Sequence, residues 1–120
     1  MKSKKSPSQR QLKVGELIRH ALSKLFMRGE IPYLGDLPVT VSEVRISPDL
    51  KNATAYIYPL AGTGSDDLVR VLAEYEGFIR KYVSKEVYLR RAPVISFKLD
   101  NSFEEAAKIS ELLSSANAEA

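Results

Sequence analysis

The sequence contains no cysteine, and His20 is the single histidine among its 120 residues. Without cysteine the chain has no disulfide, no thiolate nucleophile and no cysteine-ligated metal. It also lacks the HExxH, GxSxG and GxxxxGK(S/T) patterns on which zinc hydrolases, serine hydrolases and nucleotide-hydrolysing enzymes depend. His20 falls on the polar side of a predicted helix, where a solvated histidine is more common than a catalytic base. We therefore expect a non-catalytic protein with no cofactor, no metal and no small-molecule substrate.

Long apolar runs are missing as well. No segment reaches the roughly 20 apolar residues of a membrane span, and the start, MKSKKSPSQRQLK, lacks the apolar core of a secretory signal. This start is basic and free of acidic residues, as in mitochondrial presequences, but it is rich in lysine where those peptides are rich in arginine. We expect a cytoplasmic protein that has no membrane partner.

Acidic residues are scarce in two segments. Residues 1–28 contain eight Lys or Arg and one Glu, and residues 70–91 contain six Lys or Arg and three Glu. The formal net charge of the whole chain is only +3, so the positive charge is clustered. Clusters of this kind favour a polyanionic partner, either nucleic acid or an anionic membrane surface.

The remaining composition is typical of one folded domain. Hydrophobic residues make up 44% of the sequence and charged residues 28%, and a chain of this length fits a single domain. We expect the domain to span residues 8–113. A flexible basic arm over residues 1–7 would precede it, and a flexible tail over residues 114–120 would follow it.

Apolar periodicity predicts a helix and then a hairpin in the first half of the chain. The helix begins at about Ser8 and ends at Gly29, which suits a left-handed stop. Two strands, at about residues 39–47 and 53–60, are joined by the turn sequence PDLKN. The alternation of the first strand slips between Val41 and Val44, which is typical of a β-bulge.

The second half is predicted to be helical, then extended, then helical again. A helix capped by Ser65 allows a break near residues 76–77, and a third strand covers residues 94–99. Ser102 and Glu105 form a capping box before a short final helix. This order fits an α+β fold, in which one three-stranded mixed sheet has helices packed on one face.

Most aromatic side chains are expected in the core. The apolar side of the later helical segment consists of Phe78, Ile79, Tyr82 and Val83. Four of the six tyrosines lie on apolar helical faces or share one strand face, namely Tyr56, Tyr58, Tyr75 and Tyr82. Contacts to phosphates are therefore a better hypothesis than base stacking.

The basic residues of the later helical segment share one face with Gly77. A glycine near a helix start lets backbone N–H groups approach a phosphate. An alternative stays open, in which these cations only make an exposed helix face soluble. The sequence also leaves open whether the first helix lies beside them. The predicted RNA-binding residues are Lys4, Lys5, Arg10, Lys13, Lys24, Gly77, Arg80, Lys81, Lys85, Arg90 and Arg91.

Three long phrases carry a family resemblance: RQLKVGELIRHALSKLF, VSEVRISPDLKNATAYIYPL and EGFIRKYVSKEVYLRRAPVISFKLDNS. With the closing KISELL, they extend over residues 9–113, nearly the whole chain. The sequence resembles the ribosome-binding factor A family of bacterial small-subunit assembly factors.

The resemblance implies a type II KH-like fold and binding to the free small ribosomal subunit and its rRNA. It further implies a role in late maturation of that rRNA near its 5′ end and in growth in the cold. We expect a monomer, with a ribosome-associated GTPase as a further partner. A KH-like protein-interaction module that uses a strand edge or the charged helices, with incidental RNA binding, is the alternative.

The resemblance also identifies a kink motif. KH domains clamp nucleotides with a GxxG loop, which this family replaces by an Ala-x-Gly kink between two helices. The kink falls here on Tyr75, Glu76 and Gly77, so the glycine is retained and the alanine is not.

Overall fold

A computed structural model describes residues 6–31, 39–59, 65–100 and 109–113 of the chain. Its elements are α1 (Gln9–Met27), β1 (Val39–Ile46), β2 (Asn52–Pro59), α2 (Ser65–Glu74), α3 (Glu76–Val87) and β3 (Val94–Leu99). This is the predicted α-β-β-α-α-β order of a type II KH-like domain. Within the described ranges, no helix combines the length and the apolarity needed to cross a bilayer.

Both predicted ends of α1 are confirmed. The Ser8 hydroxyl accepts a hydrogen bond from the Gln11 backbone N–H, and the Gln11 side chain accepts one from the Ser8 N–H. This capping box satisfies two of the N–H groups that a helix start leaves without partners. After α1, Gly29 adopts a left-handed conformation with φ 66°, which reverses the chain at low steric cost.

The sheet is mixed, in the order β1-β2-β3. Strands β1 and β2 pair antiparallel as a hairpin, and β2 and β3 pair parallel. The register of the hairpin shifts between Val41 and Glu43, which confirms the predicted bulge and places it at Ser42. There the Ser42 hydroxyl donates to the Tyr56 carbonyl and also contacts the Asp100 carboxylate.

One face of the sheet carries the core, and the helices pack on that face as predicted. Along β2 the residues Ala53, Ala55 and Ile57 are buried. Because strand side chains alternate between faces, Tyr56 and Tyr58 lie on the opposite face, where both are half-buried. The prediction that these two tyrosines pack in the core is therefore wrong. The side of β2 that faces the core is the one with Ala53, Ala55 and Ile57.

A break separates α2 from α3 at Tyr75. The Tyr75 backbone has φ −98° and ψ 15°, and its N–H is shared between the carbonyls of Val71 and Leu72, each 3.1 Å away. The Tyr75 side chain packs against the core. The predicted break is thus present although tyrosine stands where the resemblance implies alanine.

Several predicted features lie outside the described residues. They are residues 1–5 of the predicted arm over residues 1–7, the tail over residues 114–120 and the capping box of Ser102 and Glu105. Residues 109–113 are helical, in agreement with a final helix.

Candidate nucleic-acid interface

Two backbone features bring the segment after α3 next to the β1–β2 turn. Tyr88 ends α3 in a left-handed conformation, with φ 52° and ψ 40°, which turns the chain back. The Val94 N–H then donates to the Lys51 carbonyl at 2.9 Å, where β3 begins. Residues 89–93 are therefore held between α3, α1 and the hairpin turn.

The first groove of the candidate site runs along α3 and is here called the α3 groove. It has a volume of about 510 Å³ and is lined by Gly77, Arg80, Lys81, Ser84, Lys85, Arg91 and Ala92. Its lining therefore contains four cationic side chains and no carboxylate. The predicted sharing of one face of α3 is confirmed, with Gly77, Lys81 and Lys85 exposed and Arg80 half-buried.

The second groove, here called the hairpin groove, joins α1 to the turn between β1 and β2. Its volume is about 330 Å³, and its lining includes Arg10, Asp49, Lys51, Arg90 and Arg91. Arg91 lines both grooves, so the two adjoin at this side chain. We call the two adjoining grooves together the basic surface.

The positive charge of the basic surface is largely uncompensated. Seven cationic side chains and one carboxylate, that of Asp49, line its two grooves. None of the seven forms a salt bridge with a described residue. Asp49 accepts hydrogen bonds from the Ser47 hydroxyl (2.6 Å) and the Lys51 backbone N–H (3.0 Å). These bonds hold the pKa of Asp49 below its ordinary value of 3.8 and commit its carboxylate to the turn.

Arg80 has a structural contact that the sequence did not predict. Its Nε and Nη2 groups donate to the Ala92 carbonyl at 3.3 and 3.1 Å. The bonds tie α3 to the segment that precedes β3. The Nη1 group makes no hydrogen bond with a described residue and is available to an anion in the α3 groove.

The structure does not bring Lys24 into the basic surface. The Lys24 ammonium forms an ion pair with Glu86 at 2.8 Å, where α1 contacts α3, and this hydrogen bond raises the pKa of Lys24. A lysine already paired with a carboxylate contributes little attraction for a phosphate, so the prediction for Lys24 is not retained.

Three further predicted residues are not among the described residues that line the two grooves. Lys13 is exposed on α1, one helical turn from Arg10, but lines neither groove. Lys4 and Lys5 lie outside the described residues. They remain predictions.

Gly77 and Glu76 have opposite roles at the start of α3. Gly77 lines the α3 groove, and an added Cβ at this position would meet no atom within 4 Å. The Glu76 carboxylate points to β3 instead, where it accepts a hydrogen bond from the Ile95 N–H at 3.1 Å. The acidic side chain of the kink motif is therefore engaged by the sheet.

Sequence reasoning missed Lys51. It lies in the turn sequence PDLKN, far along the chain from the other basic residues, and only folding brings it to Arg90 and Arg91. The turn contains one lysine and one aspartate, so the charge of the sequence near Lys51 gave no signal.

Each outer strand of the sheet has one backbone group that is hydrogen-bonded to a helix side chain. On β1 the Ile46 carbonyl accepts from the Gln11 side chain of α1 at 2.8 Å. On β3 the Ile95 N–H is occupied by Glu76. These two groups are therefore unavailable to an added strand.

Catalytic chemistry has little support in the described part of the chain. There, no three His, Asp or Glu side chains are grouped so that they could hold a metal ion. His20 is exposed on α1, away from both grooves.

Comparison with known proteins gives one consistent family. The family model described as ribosome-binding factor A matches residues 10–113. Ribosome-binding factor A of Roseobacter denitrificans is 48% identical over 112 residues, which are 92% of this chain and 78% of the relative.

Solved structures agree in fold. The crystal structure of ribosome-binding factor A from Thermus thermophilus is 22% identical and superposes with a TM-score of 0.64, over 74% of this chain and 94% of that chain. A homology model of the Thermus thermophilus factor, fitted into the cryo-EM map of its complex with the 30S subunit, is 23% identical. It has a TM-score of 0.61, over 72% of this chain and 91% of that chain.

Proposed function

Because the chain belongs to the ribosome-binding factor A family, we propose that it binds the free small ribosomal subunit by placing the basic surface on phosphates of the rRNA. The observation that carries the proposal is that the two grooves adjoin at Arg91. Seven cations from α1, the hairpin turn, α3 and the segment before β3 form one surface and have no described carboxylate paired with them. Such a surface attracts a polyanion by displacing its counterions.

In this proposal the protein acts by occupying its site and catalyses no reaction. The single KH-like domain over residues 8–113 holds a late conformation of the subunit, and the basic arm over residues 1–7 adds phosphate contacts. The rRNA matures near its 5′ end while the factor is bound, and this assistance matters most in the cold. The family resemblance is the source of these steps. It is also the source of two further parts of the proposal: the protein is a cytoplasmic monomer, and a ribosome-associated GTPase releases it.

The test removes two phosphate contacts without disturbing the fold. Lys81→Ala with Lys85→Ala removes two exposed ammonium groups that form no salt bridge with a described residue. We expect weaker co-sedimentation with small subunits. The slope of the logarithm of affinity against the logarithm of salt concentration should fall by about 0.7 to 0.9 per lysine.

The matched control removes two positive charges elsewhere. Arg70→Ala with Lys98→Ala changes the net charge equally, but Arg70 lies on α2 beside Asp67 and Glu74, and Lys98 is exposed on β3. Its salt slope should equal that of the unaltered protein. An unchanged slope in the lysine variant, or equal losses in both variants, would overturn the proposed site.

A further inference from the structure

Phe78 is an aromatic residue that the fold leaves uncovered. Sequence periodicity placed it on the apolar side of α3 with Ile79 and Val83, which are fully buried, yet 46% of Phe78 is exposed. It makes no ring or cation contact with a described residue. The prediction of a core position for Phe78 is therefore wrong, since Ile79 and Val83 already fill the interior side of this helix.

Phe78 lies in a third groove, here called the Phe78 groove, on the other flank of α3. The groove has a volume of about 450 Å³ and is formed by α3 and the end of α1. Tyr82, one turn further on, also lines it, but the Arg28 guanidinium covers that ring at 5.5 Å from its centroid. Phe78 thus presents the open aromatic surface of the groove.

The ridge between the Phe78 groove and the α3 groove carries positive charge. Lys81 and Lys85 line both grooves. A chain of phosphates that follows these two ammonium groups could therefore direct a base to either flank of α3. One flank offers more cations, and the other offers an aromatic ring.

The acidic side chains of the Phe78 groove are already paired. Glu30 forms an ion pair with Arg28 at 2.7 Å, and Glu86 forms one with Lys24 at 2.8 Å. The charges of the groove that remain uncompensated by a described residue are those of Lys81 and Lys85. The groove is therefore complementary to an occupant that joins a flat apolar ring to an anion.

We propose that an unpaired nucleotide of the bound RNA stacks its base on Phe78 while the adjoining phosphates lie on Lys81 and Lys85. This inference rests on the proposed function and adds the type of RNA that is recognised. A base inside a duplex is stacked on its neighbours and cannot reach the ring, whereas single-stranded bases stack readily on aromatic side chains. Single-stranded segments or splayed-out bases are thus preferred to helical RNA.

The test compares three RNA probes with the full chain. They are a single-stranded oligoadenylate, an abasic oligomer of equal length and an RNA duplex. Phe78→Leu keeps an apolar side chain but removes the ring, and we expect it to lower affinity for oligoadenylate on the order of tenfold. Affinity for the abasic oligomer and the duplex, and the salt slope, should not change. Phe78→Tyr keeps an aromatic ring and should bind oligoadenylate as tightly as the unaltered protein.

Chemical denaturation of Phe78→Leu will establish that the variant is folded before binding is compared. Equal losses on the oligoadenylate and the abasic oligomer would overturn the inference, and so would no loss on either. Unchanged oligoadenylate binding with weakened subunit binding would mean that the groove contacts a ribosomal protein, which also overturns it. If only the Lys81 and Lys85 variant loses subunit binding, the inference fails and the proposed function stands.

Discussion

At the scale of single residues, Arg80 combines a structural contact with a position in the proposed interface. Two of its donor groups hold the Ala92 carbonyl, while its Nη1 group makes no hydrogen bond with a described residue and lies at the α3 groove, which Arg80 lines. Arginine suits this double task because its planar fork donates in two directions at once, which a lysine ammonium on a flexible stem does less well.

We expect Arg80→Lys and Arg80→Ala to separate the two roles. Both substitutions lose the paired hydrogen bonds to Ala92 and should lower the free energy of unfolding by about 1 to 2 kcal/mol. Arg80→Lys keeps the charge and should keep the salt slope of RNA binding, whereas Arg80→Ala should reduce that slope by about 0.7 to 0.9. Urea denaturation and salt-dependent RNA binding measure the two effects. Native stability in both variants would show that the Ala92 contact is unimportant.

At the scale of secondary-structure elements, two glycines in helices serve different purposes. Gly15 of α1 faces β1, and a Cβ at this position would lie 2.6 Å from the Val44 carbonyl oxygen. The close approach of helix to strand therefore requires glycine. Gly77 of α3 faces open space within the α3 groove, so the fold itself places no such demand there.

The two glycine-to-alanine substitutions should therefore change the stability of the fold in different directions. Gly15→Ala forces α1 away from β1 and should cost about 1 to 3 kcal/mol, the usual penalty of overpacking. Gly77→Ala should leave stability unchanged or raise it by up to about 1 kcal/mol, because alanine favours the helix. It should still weaken RNA binding, because its methyl group blocks the approach of a phosphate to the backbone. Thermal unfolding and RNA titration test the pair, and a stable Gly15→Ala protein would contradict the packing argument.

The elements were predictable because their signals are local. The helix start near Ser8, the stop at Gly29 and the bulge near Val41 each depend on a few neighbouring residues, and each was predicted correctly. The faces of Tyr56 and Phe78 were not, because the side that is buried depends on which residues of other elements already fill the core. Periodicity shows which residues share one side of an element, but not which of them are buried.

The candidate site was predictable from helical spacing on α3 and from the basic clusters that contain Arg10, Arg90 and Arg91. Gly77, Lys81 and Lys85 share one face of α3, and helical spacing alone was enough to find them. Lys51 joins them through the hairpin turn, and Lys24 is neutralised by Glu86 from another helix. Both outcomes depend on tertiary contacts that carry no signal in the sequence near either lysine.

At the scale of the whole molecule, positive charge is arranged by face. The grooves around α3 and the hairpin turn collect cations that no described carboxylate pairs with. Several arginines elsewhere are matched to acidic neighbours, such as Arg19 with Glu16, Arg45 with Glu43 and Arg70 with Asp67 and Glu74. Matched charges keep a surface soluble without giving it a net attraction for polyanions.

This arrangement predicts that the location of a charge matters more than the net charge. Lys51→Gln and Lys98→Gln each remove one positive charge from an exposed lysine, and neither side chain forms a salt bridge with a described residue. Both variants should therefore keep their stability. Lys51 lines the hairpin groove, so its loss should reduce the salt slope of subunit binding by about 0.7 to 0.9, while Lys98→Gln should bind unchanged.

The comparison also tests how far the rRNA contact extends. If the slope of Lys51→Gln equals that of Lys98→Gln, the contact ends on α3 and the hairpin groove does not take part. If it falls as expected, rRNA phosphates cross from α3 over Arg91 to the hairpin turn. The bound RNA then spans two elements that are joined in space only because Tyr88 turns the chain back and the Val94 N–H holds the Lys51 carbonyl.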